Sequence, residues 1–220
     1  MDTVTIEPLD RARVDETARM LARAFDDSPL FEFLFPKGPA RLKITAGTFR
    51  GTLLDALPFD KVHVATDATG IIGAACWLPP EGYPITPRRQ AFILARIARL
   101  IPWAPTRLPD SMRYLAATDK VHPKDLHWYL SLLGVDPRRQ GEGLGGRLVD
   151  HVLERLDGEG IPSYLETDKE RNLAWYARRR FELRETLHPV RGGHRSGPCG
   201  ATPPDPSRSW RQLGTRTVPC

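Results

Sequence analysis

Hydrophobic and polar residues recur along this chain with two periods, and each change of period marks a change in the expected local structure. Alternation over residues 4–8 predicts a strand, and the amphipathic pattern over about residues 10–25 predicts a helix. Residues 61–65 and 71–78 predict a hairpin, because the polar turn at residues 67–70 separates two runs of strand-forming residues. The first third of the chain therefore predicts both kinds of element.

The second half of the chain repeats this succession of strand and helix. An apolar strand over residues 130–135 precedes an amphipathic helix at residues 147–156, and a buried strand over residues 161–167 leads into the segment at residues 172–181. Residues 181–187 supply one more strand, and no second apolar strand follows it. Either a last strand is missing or this terminus has diverged beyond recognition. A missing strand would leave unpaired backbone groups at a sheet edge.

Three further helix signals lie between these regions. Ser28 followed by Pro29 marks a helix start, because serine caps the first turn and proline fits its first position. Helices are also predicted at residues 89–100 and at about residues 109–118. This middle segment is a candidate for shaping a substrate pocket. Three aromatic residues could line that pocket or could equally pack in the core: Trp77, Trp103 and Tyr114.

A glycine-rich loop follows the strand at residues 130–135 and leads into the next helix. Its glycines at positions 141, 143 and 145 allow tight turns and let a ligand approach the backbone closely. The helix that follows offers unpaired N–H groups and the positive end of its dipole to an anion. The first hypothesis is therefore a cofactor that carries phosphate groups.

Two common phosphate motifs fit this loop incompletely. A Walker loop requires lysine followed by serine or threonine, and Arg147 follows Gly146 here. A dinucleotide fingerprint is satisfied by Gly141, Gly143 and Gly146, with the acidic Glu166 about 20 residues further on. That fingerprint places its first glycine at the end of the strand, whereas five residues intervene in this chain. A glycine-rich turn without a ligand is a further alternative.

A third pattern, Gln-x-x-Gly-x-Gly, is formed by Gln140, Gly143 and Gly145. It resembles the pyrophosphate loop of the GNAT acetyltransferase superfamily, which binds acetyl-CoA. The resemblance continues in Asn172 and Tyr176, since members of the superfamily carry an asparagine, three residues and a tyrosine at this point. These two residues are four apart and share a helix face. A dinucleotide-binding fold gives no reason for the pair.

The resemblance covers roughly residues 3–187, and residues 75–80 and 127–137 resemble the bacterial group that includes puromycin N-acetyltransferase. It implies an α/β fold with a mixed, mostly antiparallel central sheet that is splayed between strands 4 and 5 and flanked by helices. The chain departs from the superfamily at Arg180, where a glycine usually precedes the aromatic residue. An arginine at this position disfavours the usual geometry of the helix end.

The resemblance also implies the site. The backbone of residues 133–135 would bind the pantetheine arm, residues 140–145 would hold the pyrophosphate, and Asn172 would help to hold the cofactor. The cofactor-binding candidates are Leu133, Gly134, Val135, Gln140, Gly141, Glu142, Gly143, Leu144, Gly145 and Asn172. No metal ligand is implied.

The implied reaction is direct attack of an amine of a small molecule or peptide on the acetyl thioester. Tyr176 would protonate the leaving thiolate, and the backbone N–H of Leu133 would stabilise the oxyanion. His127 is the candidate base, acting through water, because strand alternation places Asp125, His127 and Tyr129 on one face. The alternatives are an acyl-CoA sensor without catalysis and a dinucleotide-binding oxidoreductase.

Length, charge and cysteine spacing complete the prediction. The 220 residues suit one domain at residues 1–188 and a basic, disordered tail at residues 189–220, which carries +4 of the net charge of +5 (five arginines and one aspartate). Nucleic-acid binding is not favoured, because Trp210 is the only aromatic residue in the tail. The three cysteines show neither a zinc nor a disulfide pattern.

The location and assembly are predicted from what the sequence lacks. No apolar run reaches the ~20 residues that span a bilayer, and the N-terminus lacks the basic and apolar segments of a signal peptide. We therefore predict a cytoplasmic protein that does not bind membranes and that acts on a small-molecule amine. A homodimer is left open.

Overall fold

The computed structural model describes residues 3–35, 38–98, 108–156, 159–187 and 211–217. Within these ranges the strands are β1 Thr5–Pro8, β2 Val62–Asp67, β3 Gly70–Leu78, β4 Trp128–Val135, β5 Ser163–Thr167, β6 Phe181–Leu183, β7 Thr186–Leu187 and β8 Arg211–Thr217. The α-helices are α1 Val14–Ala24, α2 Pro29–Leu34, α3 Pro39–Ala56, α4 Pro87–Ala98, α5 Leu108–Val121, α6 Leu144–Leu156 and α7 Arg171–Ala177.

The strands form one mixed sheet, as the sequence predicts. The order across the sheet is β1-β2-β3-β4-β5-β8-β6, and β7 pairs with β8 outside this path. Neighbours from β1 to β4 are antiparallel, and β4 and β5 are parallel. The parallel step is permitted because α6 carries the chain from the end of β4 back to the start of β5.

The predicted splay between β4 and β5 is confirmed. Strand β4 pairs with β3 from Tyr129 to Val135, but it pairs with β5 only over Trp128–Leu130. The last pair before the two strands separate joins Leu130 to Leu165. The rest of β4 therefore presents one backbone edge to an opening inside the sheet.

Apolar side chains form a separate core on each face of the sheet. One core joins α6 and α7 to the sheet and includes Leu148, Leu165 and Tyr176. The other core joins α1 and α3 to the opposite face and includes Leu21, Phe49 and Cys76. A residue's core therefore identifies the face of the sheet on which its side chain lies.

A strand does follow residues 181–187, so the divergence alternative holds and the missing-strand alternative is wrong. Strand β8 lies between β5 and β6 and runs parallel to both, with Leu213 opposite Leu165 and Leu183. The sequence of β8, Arg-Gln-Leu-Gly-Thr-Arg-Thr, lacks an apolar run. Backbone hydrogen bonds to β5 and β6 hold this strand in place. These bonds do not require apolar side chains, so the sequence of the strand shows no hydrophobic pattern. Residues 211–217 of the predicted disordered tail form β8, and the other residues of the tail lie outside the described ranges.

Several element ends differ from the prediction. Helix α6 begins at Leu144, three residues before the predicted start. Helix α7 ends at Ala177, ahead of the aromatic Phe181, as the resemblance implies. The predicted strand at residues 181–187 is divided into β6 and β7. The start of α2 is confirmed, since the Ser28 Oγ accepts a hydrogen bond from the Phe31 N–H at 3.3 Å.

Candidate active site

The opening between β4 and β5 has a defined apex. Beyond the Leu130–Leu165 pair, Ser131 is the next residue of β4 and Glu166 is the next residue of β5. Ser131 is an extra residue in the β3–β4 register, since Cys76 pairs with Leu132 and Trp77 with Leu130. The Ser131 hydroxyl donates to the Cys76 carbonyl at 3.1 Å. A bulge therefore marks the point at which the sheet opens.

The predicted pantetheine-binding residues lie along the open edge. Leu133, Gly134 and Val135 all follow the apex, and β5 pairs with none of them. The glycine at position 134 has a packing role, because a Cβ there would come within 2.7 Å of the Leu21 side chain and 3.2 Å of Ala24. Its small size lets α1 lie close to the strand, while its backbone stays on the edge of the opening.

The glycine-rich loop lies between the end of β4 and the start of α6. Gly141 and Gly143 have φ angles of +87° and +78°, which favour glycine, and a Cβ at either position would meet no protein atom within 4 Å. Backbone conformation, and not crowding by the protein, therefore requires glycine there. The space above the loop is open, as a bound pyrophosphate would need.

The predicted roles of the other loop residues are only partly tested by their contacts. The Gln140 side-chain amide donates to the Val135 carbonyl at 3.1 Å, so it braces the loop against β4. Glu142 accepts from Arg139 at 2.8 Å, and Arg139 also contacts Asp67. These two side chains fix the loop's shape, and the backbone remains the part that could face an anion.

A buried carboxylate anchors the start of the loop. Asp136 accepts from Arg138 Nε at 3.0 Å and from Arg23 Nη2 at 2.8 Å. The hydrogen bond from Arg138, together with that from Arg23, holds the pKa of Asp136 well below its usual range. The side chain of Arg138 is 80% exposed, so it could also reach an anionic ligand beside the loop.

The two residues predicted on α7 occupy different environments. The Asn172 side-chain amide donates to the Thr167 hydroxyl at 3.0 Å, which connects α7 to the end of β5. Tyr176 is buried, with its ring 5.7 Å from that of Phe181 and 4.8 Å from that of Trp175. Burial raises the pKa of Tyr176, so its hydroxyl remains protonated at neutral pH.

The helix end at Arg180 keeps the geometry expected of a glycine. Arg180 adopts a φ of +64°, in the left-handed region. The N–H of Arg180 donates to the Ala177 carbonyl at 3.0 Å, and the chain then enters β6. The departure from the superfamily pattern therefore changes the residue and preserves the turn.

The candidate base His127 lies in a buried cluster on the other face of the sheet. Its Nδ1 lies 2.7 Å from the Asp125 carbonyl oxygen, and its Nε2 lies 2.9 Å from Nε2 of His122. Burial lowers the pKa of His127, which favours the neutral ring that can accept a proton. Asp125 contributes its backbone oxygen to this contact, and its side chain is exposed.

Three residues of this cluster were not predicted as a group. His122 follows the end of α5, Tyr83 follows β3, and Glu166 had entered only the dinucleotide hypothesis. Nδ1 of His122 lies 3.6 Å from the Glu166 carboxylate, and Tyr83 stacks on the His122 ring with centroids 3.7 Å apart. The Tyr164 hydroxyl donates to Glu166 at 3.3 Å. No sequence spacing indicates this cluster, because its members come from four separate segments.

Two aromatic candidates for the acceptor pocket can now be placed. Trp77 is fully buried in the core beneath α6, so its assignment to a pocket wall is wrong. Tyr114 lies on α5 and is close enough to Tyr129 to affect the pKa of that phenol. Trp103 lies outside the described residues.

The two predicted catalytic residues lie on opposite faces of the sheet. Tyr176 belongs to the core formed with α6, whereas Tyr129, the neighbour of His127 in the aromatic cluster, packs against the core formed with α1 and α3. The opening between β4 and β5 separates them. A group held in that opening could meet a base on one side and an acid on the other.

Hydrogen bonds and ion pairs to residues that follow β5 hold the segment between α1 and α2 beside this opening. Asp168, just after β5, accepts from the Leu30 N–H at 3.1 Å and also from the Ser28 hydroxyl. Asp27 accepts from Arg171 at 2.7 Å and contacts Lys169. These contacts connect the segment to the start of α7, where Asn172 lies.

The described residues form neither a metal-binding cluster nor a membrane-spanning helix. They contain no group of three or more histidine, cysteine, aspartate or glutamate residues placed to hold a metal ion. None of their helices is both long and apolar enough to span a bilayer.

Comparisons with known proteins agree with this architecture. The acetyltransferase (GNAT) family matches residues 99–181. An uncharacterised N-acetyltransferase, C550.08, of Schizosaccharomyces pombe is 31% identical over 74 residues, which are 33% of this chain and 30% of that protein. Mycothiol acetyltransferase of Streptomyces coelicolor is 36% identical over 70 residues, 30% of this chain and 23% of that protein. The matched segment thus spans less than a third of either relative.

Solved structures share the fold over most of the chain. A histone acetyltransferase HPA2 and related acetyltransferase of Corynebacterium glutamicum has a TM-score of 0.58 and 23% identity, with coverage of 82% of this chain and 84% of that one. Arylalkylamine N-acetyltransferase 2 of Aedes aegypti has a TM-score of 0.54 and 17% identity, covering 80% and 81%. Polyamine N-acetyltransferase of Drosophila melanogaster has a TM-score of 0.53 and 20% identity, also covering 80% and 81%.

Proposed function

We propose that this chain is a GNAT acetyltransferase and that it transfers an acetyl group from acetyl-CoA to the amine of a small molecule. The family match over residues 99–181 and the shared fold support this proposal. One observation carries the proposal: the opening between β4 and β5 runs from an apex beside Glu166 towards the glycine-rich loop at the start of α6. A long, phosphate-bearing thioester matches both ends of this opening.

The chain offers acetyl-CoA a place for each of its parts. The backbone edge at Leu133, Gly134 and Val135 would bind the pantetheine arm as an added strand. The backbone of residues 140–145 and the start of α6 would hold the pyrophosphate, since no protein atom fills the space above Gly141 and Gly143. When bound, acetyl-CoA supplies the thioester carbon that the amine attacks.

The residues around the opening would accept the proton that the amine loses and donate the proton that the sulfur gains. An alkyl ammonium has a pKa near 10, so it must lose a proton before it can attack. His127 would act as the base through the His122 ring that faces its Nε2 and through water, and the buried Tyr176 hydroxyl would donate a proton to the leaving sulfur. A backbone N–H of β4, that of Leu133, would stabilise charge on the carbonyl oxygen.

The contacts of Glu166 argue against the dinucleotide-binding oxidoreductase alternative. A dinucleotide-binding acid should contact a ribose near the glycine-rich loop. Glu166 instead faces His122 and Tyr164 inside the buried cluster. The acyl-CoA sensor remains an outcome of the test below, and membership of the puromycin N-acetyltransferase group remains a prediction.

The cofactor can be tested by thermal shift with acetyl-CoA, CoA, NAD and NADP. A ligand at 100 times its Kd stabilises the folded protein by about 2.7 kcal/mol. We expect acetyl-CoA and CoA to raise the Tm, and NAD and NADP to leave it unchanged. The opposite result would overturn the assignment of the loop.

The acceptor can be tested with an amine panel and a thiol reagent that detects released CoA. The panel should include polyamines, agmatine and arylalkylamines, because structural neighbours carry the names of enzymes for such amines. We expect thiol release with at least one class. Tight binding of acetyl-CoA with no thiol release for any amine would favour the sensor.

A further inference from the structure

The hydrogen bonds of His127 fix its neutral form. Its Nδ1 lies 2.7 Å from the Asp125 carbonyl oxygen, which can only accept. Nδ1 must therefore carry the hydrogen, and in the neutral ring Nε2 is left as an acceptor. That acceptor faces Nε2 of His122 at 2.9 Å, so His122 must carry its own hydrogen on Nε2.

This arrangement leaves one vacant position for a proton. A neutral His122 with its hydrogen on Nε2 has a lone pair on Nδ1. That lone pair points towards the Glu166 carboxylate, with the two atoms 3.6 Å apart. A proton added at His122 Nδ1 would lie between the ring and the carboxylate, and no other hydrogen in the chain would have to move.

We propose that His122 and His127 act as a single proton acceptor for the amine substrate, and that Glu166 is the positioning residue that stabilises the accepted proton on His122. The inference rests on the proposed transferase function. Both histidines are at least 95% buried, so the carboxylate, which is 16% exposed, provides their connection to the opening.

The position of Glu166 connects the pair to the reaction. Glu166 is the first residue of β5 beyond its last pairing with β4, so it lies at the apex of the opening. The amine must reach that apex to meet a thioester held along the open edge of β4. A proton lost there can pass through water and the carboxylate to His122 Nδ1.

The protons balance over one turnover. The substrate ammonium gives one proton to the histidine pair, and the amine lone pair forms the C–N bond with the thioester carbon. The nitrogen then gives up a second proton, the C–S bond breaks, and the sulfur receives a proton from Tyr176. The second nitrogen proton restores Tyr176 through water, and the histidine pair releases the first proton to solvent. The products are the amide and a thiol.

The groups around the histidine pair suit a site that carries a single positive charge. Tyr83 covers the His122 ring, and the Tyr83 hydroxyl donates to Asp119 at 3.0 Å instead of to a histidine. Burial lowers the pKa of His127, and the neighbouring His122 ring and the charge of Arg184 lower it further. The remaining facing groups are Asp125, Tyr129, Tyr164 and Glu166. Two protonated rings 2.9 Å apart would repel strongly, so the pair takes up one proton.

The first test is an NMR titration of the whole protein with ¹⁵N-labelled histidine and no ligand. Near neutral pH we expect His127 as the Nδ1–H form and His122 as the Nε2–H form, and we expect one proton to be taken up by both rings together on acidification. His151→Asn serves as the control, because His151 contacts His63 edge-on, with ring centroids 5.0 Å apart, so the substitution should change only the signals of those two histidines. Two independent titrations, or the same tautomer in both rings, would overturn the inference.

The second test compares pH profiles of kcat/KM. His122→Asn and His127→Asn should each lower kcat/KM by roughly 100-fold, the loss expected for a general base. Glu166→Gln should lower kcat/KM by about tenfold and move the acid limb of the profile to lower pH, since a carboxylate favours the protonated pair. His151→Asn should change neither quantity.

The outcomes separate this inference from the proposed function. If Glu166→Gln reduces the rate without moving the acid limb, Glu166 has only a structural role and the inference fails, while the transferase function stands. If the two rings take up one proton together but no amine yields thiol, the transferase function fails and the proposed role of the pair fails with it.

Discussion

At the scale of single residues, the Tyr176 hydroxyl is the proposed acid that protonates the leaving sulfur. Replacing Tyr176 by phenylalanine keeps the ring contacts with Phe181 and Trp175 but removes the donor. We predict that kcat falls roughly 10- to 1,000-fold, the range for loss of a general acid. Because burial raises the pKa of Tyr176, this phenol should impose no loss of activity between pH 7 and about 9. Steady-state and single-turnover kinetics measure the effect.

Asn172 gives the contrasting variant on the same helix. Its amide holds Thr167, so Asn172→Ala should loosen α7 from the end of β5. We expect this variant to weaken acetyl-CoA binding more than it slows the chemical step. Unchanged turnover in Tyr176→Phe, with chemistry limiting the rate, would mean that Tyr176 only packs in the core.

Arg180 has an unfavourable backbone conformation at the end of α7. A residue with a Cβ loses about 1–2 kcal/mol in the left-handed region, and Arg180 has a φ of +64°. We predict that Arg180→Gly raises the free energy of unfolding by about 1 kcal/mol and the Tm by roughly 2–4 °C. Arg178→Gly is the matched control, because Arg178 has a helical φ of −63° and should gain nothing. A lower Tm for Arg180→Gly would show that the arginine side chain stabilises this turn.

At the scale of elements, the role of the glycine-rich loop in cofactor binding can be tested separately from the strain that a side chain causes at a positive φ angle. Gly143→Val should weaken acetyl-CoA binding more than tenfold, about 1.4 kcal/mol, because the side chain would occupy the space above the loop and disfavour the φ of +78°. Calorimetric titration of the folded variant measures the loss.

Gly160 offers the control for this experiment. It also has a positive φ, +67°, and open space at its Cβ position, but it precedes β5 and lies outside the loop. Gly160→Val should cost similar stability and leave the affinity unchanged. Equal affinities for acetyl-CoA in both variants would remove Gly143 from the cofactor site.

Strand β8 should matter for stability although its sequence is polar. It pairs with β5 on one side and with β6 on the other. Leu213→Pro removes a backbone donor at the centre of this strand, so we predict a loss of about 2 kcal/mol or more and a Tm lower by roughly 4–8 °C. Deletion of residues 218–220, beyond the strand, should leave the Tm unchanged. An unchanged Tm for Leu213→Pro would show that β8 does not stabilise the sheet.

For the whole molecule, patterning predicted the sheet from β1 to β5 and missed its final strand. The largely apolar runs of β2, β3 and β4 reflect burial by helices on both faces. Strand β8 has no such pattern, because a strand fixed by backbone pairing requires no particular side chains. The local motifs for the loop and α7 predicted the cofactor side of the site, whereas the cluster of His122, His127 and Glu166 depends on long-range packing.

The acid stability of the molecule depends on carboxylates that arginine residues hold in their charged form. Arg138 and Arg23 lower the pKa of the buried Asp136, so the folded state binds its proton less readily than the unfolded state, in which an aspartate has a pKa near 3.9. The resulting stabilisation is fully present above that unfolded value and is lost as the pH falls through the lower, folded value.

We predict that Asp136→Asn lowers the free energy of unfolding at pH 7 by about 1.5–3 kcal/mol, the usual value of hydrogen bonds to a charged group. Below pH 4 the wild-type curve should fall towards that of the variant, because Asp136 then begins to take up its proton in the unfolded chain while it stays charged in the folded state. Urea unfolding between pH 7 and pH 3 measures both curves. Asp15→Asn, at an exposed ion pair with Arg50, should change stability by less than about 1 kcal/mol. Parallel curves for wild type and Asp136→Asn would mean that Asp136 does not set the acid limit, and that its hydrogen bonds serve only to shape the loop.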